Sequence, residues 1–312
     1  MQEAVERIIE NVNKVMVASR EVLELAMVAV ICEGHLLIED VPGIGKTTLA
    51  KTLARSLGCS FRRIQCTPDL LPSDITGIQV FNQQKCEFEF RPGPVMANIV
   101  LVDEINRATP RTQSSLLECM EERQVTVDGI TMALPRPFVV IATQNPVELQ
   151  GTFPLPEAQL DRFLLRLEIG YPSEQDEDRM LLRFERHSPL DDLPSVTSAQ
   201  EILALKRLAQ EVFVEKCVRR YILNLIRQTR DNPSVELGAS PRASLALYRS
   251  CQALALVKGR NYVLPDDVKQ LAVPVLGHRL ILSTEAYLHN HSREKLVNDV
   301  LASTPVPVEE RS

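Results

Sequence analysis

One ten-residue string, Glu39 to Thr48 (EDVPGIGKTT), constrains this chain more than any other. It follows the apolar run Leu36-Leu37-Ile38 and leads into a helical stretch from about Lys46 to Leu57 that stops at Gly58. Strand, glycine loop and helix together aim backbone N–H groups and the positive end of a helix at one point, which suits an anion. In such loops glycines let the backbone approach phosphate, a lysine reaches its outer groups, and a Ser or Thr hydroxyl binds Mg²⁺. Here Gly43, Gly45, Lys46 and Thr47 take those roles, and Pro42, Ile44 and Thr48 complete the loop. The strict GxxxxGK[ST] pattern fails at its first position, where Asp40 stands. The flanking strand and helix outweigh the bland alternative of a glycine turn capping a helix.

A strand–loop–helix unit needs a sheet to sit in, and the rest of the chain supplies one. Further short strands are expected at Phe61–Ile64, Ile99–Val102, Phe138–Ala142 and Leu164–Ile169, separated by helical stretches such as Arg111–Glu121. Alternation of this kind predicts an α/β fold with a parallel sheet flanked by helices. Aromatic residues make up 4% of the 312 residues and Trp is absent, so the core must be aliphatic, which suits that architecture. Helical spacing of Val5, Ile8, Ile9 and Val12 and a second, apolar-rich segment, Val22–Cys32, predict two helices before the first strand. Two hairpins interrupt the alternation, Gln79–Phe81 with Cys86–Phe90 and Gln124–Val127 with Ile130–Ala133, the second around an Asp128-Gly129 turn. Ser173 reads as a helix cap and Ser188–Ser198 as a linker. Beyond it the periodicity is helical: about Ala199–Gln210, Lys216–Arg230, Pro241–Leu256 and Pro265–Leu271. The expectation is two domains, an α/β core over 1–189 and a smaller all-helical domain over 190–312, with a frayed tail from Pro305.

Charge and cysteine content exclude some partners. The net charge of −6 gives no global attraction to nucleic acid or acidic membranes. Residues 1–189 carry 19 basic and 27 acidic residues and 190–312 carry 16 and 14, so the second domain is the better face for an anion. Seven cysteines, widely spaced and without a CxxC pair, read as reduced, mostly buried thiols. The longest apolar run, Leu25–Cys32, is too short to span a bilayer, and no secretion signal opens the chain. A soluble cytoplasmic protein is expected.

The strand Ile99–Val102 ends in Asp103-Glu104. Successive strand residues point to opposite faces, so the two carboxylates can divide their work: Asp103 orients Mg²⁺ and Glu104 polarises an attacking water. Phe138–Ala142 runs into Thr143-Gln144-Asn145, where Asn145, with Gln144 as its rival, can hold that water and the outermost phosphate. Phosphoryl transfer also calls for cations on the γ-oxygens. Arg162 in LPEAQLDRF and Arg242 in GASPRAS are the candidates.

With these residues in view, the chain resembles the MoxR branch of the AAA+ ATPases from about Val5 through Leu282. The strings FRRIQCTPDLLPSDITG, EFRPGPVMANIVLVDEINRA, TQSSLLECMEERQVTVDG, IATQNPVELQGTFPLPEAQLDRF, GASPRASLAL and PVLGHR carry the likeness. The resemblance implies ATP and Mg²⁺ as cofactors. It makes Lys46 and Thr47 the Walker A positions, Asp103 and Glu104 Walker B and Asn145 sensor 1. Arg162 becomes an arginine finger acting on a neighbouring subunit, and Arg242 the sensor 2 of a helical lid that reaches the same ATP. Ala18-Ser19-Arg20-Glu21 departs from the family's usual stretch, so base contacts are left unassigned. The resemblance further implies an ATP-hydrolysing, chaperone-like remodeller of protein complexes that assembles into a homo-oligomeric ring, taken as a hexamer, with a von Willebrand factor A domain partner. The hairpins are expected to face the ring's centre. A nucleic-acid motor of the same branch is the alternative, disfavoured because Gln79–Phe90 holds one cation, Lys85, and Gln124–Ala133 none. A nucleotide-gated scaffold is a third reading, against which Glu104, Asn145 and Arg162 speak.

Overall fold

The computed structural model of the protein describes residues 2–145, 151–185 and 188–307. Helix α1 (Gln2–Asn13) buries Val5, Ile8, Ile9 and Val12 along one stripe, the usual pattern of a surface helix. Helix α2 (Arg20–Cys32) differs: Ser19 caps it by accepting the Val22 N–H, and every residue from Val22 to Ile31 is buried. A helix that is apolar all round must be wrapped on all sides. From there β1 (Leu36–Glu39) leads through the glycine loop into α3 (Lys46–Ser56) and β2 (Phe61–Gln65).

The short α4 (Pro72–Thr76) opens a hairpin of β3 (Gly77–Asn82) and β4 (Glu87–Pro92), longer than the sequence reading and with Cys86 left exposed in the turn. Its base demands glycine at two places. A Cβ on Gly93 would lie 2.2 Å from the Ile75 carbonyl oxygen, and one on Gly77 2.3 Å from that of Arg91. Next come β5 (Ile99–Asp103), α5 (Pro110–Glu122), the hairpin β6 (Gln124–Val127) and β7 (Ile130–Ala133), and β8 (Val139–Gln144). After α6 (Glu157–Leu160), β9 (Leu165–Leu167) is shorter than expected, and α7 (Glu174–Phe184) begins at the predicted cap, Ser173.

The central sheet has five parallel strands in the order β2-β5-β8-β1-β9. Alternate residues feed two separate cores. Leu36, Ile38, Ile99, Leu101, Val139 and Ile141 pack on one side with α1, α2 and α3, while Leu37, Val100, Val102, Val140 and Ala142 pack on the other with Leu116, Leu117 and Met120 of α5. In open parallel sheets the crevice outside the carboxyl ends of the strands is the usual place for a ligand. Register decides which residues meet there. Gln65 is level with Asp103, Val102 with Ala142, and Ile38 with Thr143.

The C-terminal part contains α8 (Ala199–Glu211), α9 (Lys216–Asp231), β10 (Val235–Leu237), α10 (Pro241–Val257), α11 (Pro265–Leu276), β11 (Ile281–Leu282), α12 (Thr284–Leu288) and α13 (Arg293–Ser303). It is helical apart from the small antiparallel ribbon of β10 and β11, too short to leave a period-2 pattern in the sequence. The first core does not stop at the linker. Helix α2 packs against α8 and α10, so one apolar cluster runs from the sheet into the lid. The linker itself is held down: Arg55 donates to the carbonyls of Leu193 (2.7 Å) and Asp191 (2.6 Å), and Asn11 to that of Pro194 (2.9 Å).

Charged groups tie the same parts together. Glu33, in the left-handed conformation at the end of α2 (φ 50°), has a fully buried side chain that meets Arg123 at 2.9 Å, Arg136 at 2.5 Å and Lys206 at 2.5 Å. Arg166 of β9 pairs with Glu39 and Glu168 and with Glu294 of α13. All seven cysteines are free thiols: Cys66, Cys119 and Cys251 are buried and Cys32, Cys59 and Cys217 half-buried. No helix among the described residues is long and apolar enough to cross a membrane. Most of the tail expected to fray, residues 308–312, lies outside the described residues, as does the 146–150 stretch of the string that follows Asn145.

Candidate functional site

A cleft of ≈ 380 Å³ opens at the carboxyl ends of the strands, lined by the glycine loop, Lys46, Thr47, Thr48, Arg63, Gln65, Asp103, Glu104, Thr143 and Asn145. The loop owes its shape to two glycines in the left-handed region, Gly43 (φ 88°) and Gly45 (φ 89°), Gly45 being the residue that starts α3. Lys46 folds back and donates its ammonium to the Asp40 carbonyl. Burial lowers its pKa from the ordinary lysine value, against the upward pull of the Asp40, Asp103 and Glu104 charges.

Asp40, the departure from the loop consensus, has its own work. Its Oδ2 accepts the backbone N–H groups of Ile169 (2.8 Å) and Gly170 (2.7 Å), pinning the segment after β9 to the root of the loop. That segment borders a second cavity of ≈ 460 Å³, which shares Pro42, Gly43, Gly45 and Thr48 with the cleft and adds Met16, Ile44, Ile169, Tyr171, Met180 and Phe184. An apolar pocket opening beside a phosphate loop has the character of a site for a flat base. Its other wall is the Val15–Ser19 stretch, where Ser19 is occupied with capping α2 and Arg20 pairs with Glu6 (2.7 Å) and Glu24 (2.8 Å).

The two acids stand on different backbones. Asp103 ends β5 in strand geometry, while Glu104 is left-handed (φ 56°), a conformation that costs a non-glycine residue about 1–2 kcal/mol. Thr143 holds both. Its hydroxyl donates to Asp103 Oδ1 (2.8 Å) and accepts the Glu104 N–H (2.9 Å), which uses its one proton and one lone pair. Arg63 donates through Nε (3.0 Å) and Nη2 (2.7 Å) to Asp103 Oδ2. Arg63 Nη2 also donates to Gln65 Oε1 (2.7 Å), and Gln65 Nε2 in turn donates to Glu104 Oε2 (3.0 Å). Asn145 is buried at the lip of the cleft, whereas Gln144 does not line it. Of the two amides, Asn145 is the one in reach.

Hard oxygen donors, a threonine hydroxyl and a carboxylate, suit Mg²⁺, which takes few protein ligands and shares the rest with phosphate and water. Among the described residues no cluster of three or more His, Cys, Asp or Glu side chains forms a separate metal cage. Thr47 and Asp103 therefore fit a magnesium nucleotide.

Arg162 and Arg242 are elsewhere. Arg162 Nε (3.1 Å) and Arg242 Nη2 (2.8 Å) both donate to Glu121 Oε2 at the end of α5. Those hydrogen bonds, from Arg242 first, hold the Glu121 carboxyl below its ordinary pKa. The pocket around them includes Gly34 and His35, just before β1, whereas Lys46 lies just beyond it. At about 3.3 Å per residue, the strand separates the two sites by roughly 15 Å. The lid, expected to bring Arg242 to the same phosphates as Lys46, thus places it in this chain at the Glu121 end of β1. The packing of α10 on α2 fixes the start of α10 at the opposite end of β1.

A bracket links the two arginines. Asp161 accepts from Ser240 (3.0 Å) and from Arg279 (2.7 Å), and Arg279 also donates to the Phe163 carbonyl (2.5 Å). Arg63, Gln65, Thr143, Glu121 and Asp161 escape a reading of the sequence. For Arg63 and Gln65 a signal existed, two polar residues at alternate positions of a short strand, but only the register against β5 gives it meaning.

Residues 35–165 match the ATPase family associated with various cellular activities (AAA), and residues 227–300 match the AAA lid domain. The chain is 41% identical over 311 residues to the chaperone MoxR1 of Mycobacterium tuberculosis, with 97% of this chain and 82% of that one covered. To the protein MoxR of Paracoccus denitrificans it is 32% identical over 327 residues, covering 95% and 94%. A crystal structure from Cytophaga hutchinsonii superposes with a TM-score of 0.92 at 36% identity, covering 98% of this chain and 96% of that one. Core and lid matches in this order, with relatives above 30% identity along nearly the whole length, show that the chain belongs to the MoxR family of AAA+ ATPases.

Proposed function

We propose that the chain is a magnesium-dependent ATPase whose catalytic site is shared between neighbouring copies in a ring, and that it remodels protein complexes in the cytoplasm. The observation that carries this reading is the separation of the cations: Lys46 lies with the two acids in the cleft, while Arg162 and Arg242 converge on Glu121 at the other end of β1. One subunit then binds the nucleotide, and its neighbour supplies the two arginines.

In this reading Lys46, the loop N–H groups and the start of α3 bind the phosphates, and the apolar pocket around Met16, Ile44 and Phe184 takes the base. Thr47 and Asp103 would hold Mg²⁺, which would supply charge neutralisation to the phosphates. Glu104 polarises the attacking water and Asn145 orients it. Glu121 keeps Arg162 and Arg242 together until a neighbour's γ-phosphate competes for them. The linker near Pro189 divides an α/β core from the lid.

The partners proposed are further copies of the chain, probed as a hexamer, a protein client and a von Willebrand factor A domain protein. The relative in Mycobacterium tuberculosis bears the name chaperone, which supports a protein client. So does the tip of the β3–β4 hairpin, beyond Arg91 at its base: its one cation, Lys85, is paired to Glu89 at 2.6 Å, and it exposes an edge-to-face pair, Phe81 and Phe88, with ring centroids 5.3 Å apart. A nucleic-acid channel would present cations there.

Mixing tests the shared site. Arg162→Ala and Lys46→Ala are each expected to lose nearly all turnover, a finger being worth about 10³–10⁵ in rate. Mixed rings should regain phosphate release, because one subunit contributes Lys46 and the next Arg162. Verified mixed rings without regained activity would refute the shared site.

A further inference from the structure

The cleft contains a cation that the phosphate-loop reading does not use. Arg63 projects from β2 and places two nitrogens on Asp103 Oδ2, at 2.7 and 3.0 Å. The other carboxylate oxygen, Oδ1, accepts the Thr143 hydroxyl, which also supports the Glu104 N–H. Thr143 therefore cannot yield without loosening the backbone of Glu104. Oδ2 is the oxygen left for a divalent cation or its water shell, and Arg63 holds it.

The pair is built so that the arginine can leave. The Asp103 side chain is 14% exposed but that of Arg63 is 48% exposed, so the guanidinium can swing into water while the carboxylate stays. Arg63 is also the second cation lining a phosphate cleft that Lys46 serves. Leaving Oδ2 moves its charge within that cleft and frees Gln65 Oε1, the neighbour of the amide nitrogen that holds Glu104.

We propose that Arg63 is a cation placeholder: it occupies the metal-binding oxygen of Asp103, is displaced when Mg²⁺ enters with the nucleotide, and thereby sets how strongly nucleotide binding depends on the metal. The inference rests on the reading of this cleft as the magnesium nucleotide site. It makes Arg63 a positioning residue acting through Asp103 and Gln65. With metal withheld, Arg63 neutralises Asp103 and favours the bare polyphosphate. With metal present, it competes.

The experiment compares the affinity of the full chain for a fluorescent, non-hydrolysable ATP analogue in EDTA and in saturating Mg²⁺. For the parent, Mg²⁺ should tighten binding. For Arg63→Gln, binding in EDTA should weaken and the gain on adding Mg²⁺ should grow about fivefold, the scale of a half-exposed ion pair. Arg63→Lys keeps the charge but loses the planar fork that sets two nitrogens on Asp103 Oδ2, and should lie between. A gain in Arg63→Gln equal to or smaller than the parent's, with a native circular dichroism spectrum, overturns the placeholder and leaves the site. A parent that binds no analogue overturns both. Because the readout is binding, loss of turnover for another reason does not mimic the effect.

Discussion

Glu104 is the residue where local geometry and proposed chemistry meet. Its left-handed backbone is held by the Thr143 hydroxyl, and its carboxylate by the Gln65 amide (3.0 Å) with Arg107 at 3.5 Å. Glu104→Gln keeps shape and hydrogen-bonding reach but removes the charge that polarises water. The variant is expected to bind ATP like the parent and to turn over about 10²–10⁴-fold more slowly, read by equilibrium binding beside phosphate release. Turnover equal to the parent's would remove Glu104 from the mechanism. Lys46, Thr47, Asp103 and Glu104 are legible in the sequence because each sits beside its strand, so local order alone brings them to one edge. Arg63, Gln65 and Thr143 are not, because their meaning lies in which strand is next and in what register.

At the scale of elements, Glu33 is the joint between a hairpin and the lid. Arg123 precedes β6 and Arg136 follows β7, so both legs of that hairpin end on this carboxylate, and Lys206 brings α8 to it. Burial by itself pushes the Glu33 carboxyl up, but the hydrogen bonds from Arg136 and Lys206 and the charge of Arg123 outweigh it and bring the pKa down to about 2. A depressed carboxyl stabilises the fold above its unfolded pKa, near 4.5, and the contribution is lost as pH falls through the folded value. The parent should therefore lose stability between about pH 4.5 and 2, by up to roughly 3 kcal/mol from this group. Glu33→Gln leaves three cations facing a neutral amide, and should cost about 3 kcal/mol at neutral pH while flattening that acid limb. Urea midpoints across pH decide it: equal acid slopes in parent and variant would assign the sensitivity elsewhere. The hairpins themselves were legible from alternation and turn residues, whereas this anchor, drawn from three distant segments, was not.

For the whole molecule, the shared core is the controlling fact. Sequence reading expects a core over 1–189 and a lid over 190–312, and the all-round burial of α2 adds a condition to that division. Helix α2 rests on the sheet on one side and on α8 and α10 on another. Cutting after residue 189 would strip that second cover, and each buried Val, Leu, Ile or Met side chain re-exposed costs about 1.5–3 kcal/mol. Several such residues approach the roughly 5–15 kcal/mol of a typical fold. The fragment 1–189 is therefore expected to aggregate or bind a hydrophobic dye where the full chain does not, and a soluble, cooperatively melting fragment would show that the core stands alone. The sequence by itself determined the α/β class, the phosphate loop, the acidic pair and the helical character of the lid, because periodicity and short motifs are local properties of a chain. Only the tertiary structure decided that Arg242 lies with Arg162 on Glu121 rather than with Lys46, and that Arg63 reaches Asp103. Those facts depend on which faces pack together, and packing is settled by the burial of α2 between sheet and lid, a long-range balance that no stretch of neighbouring residues encodes.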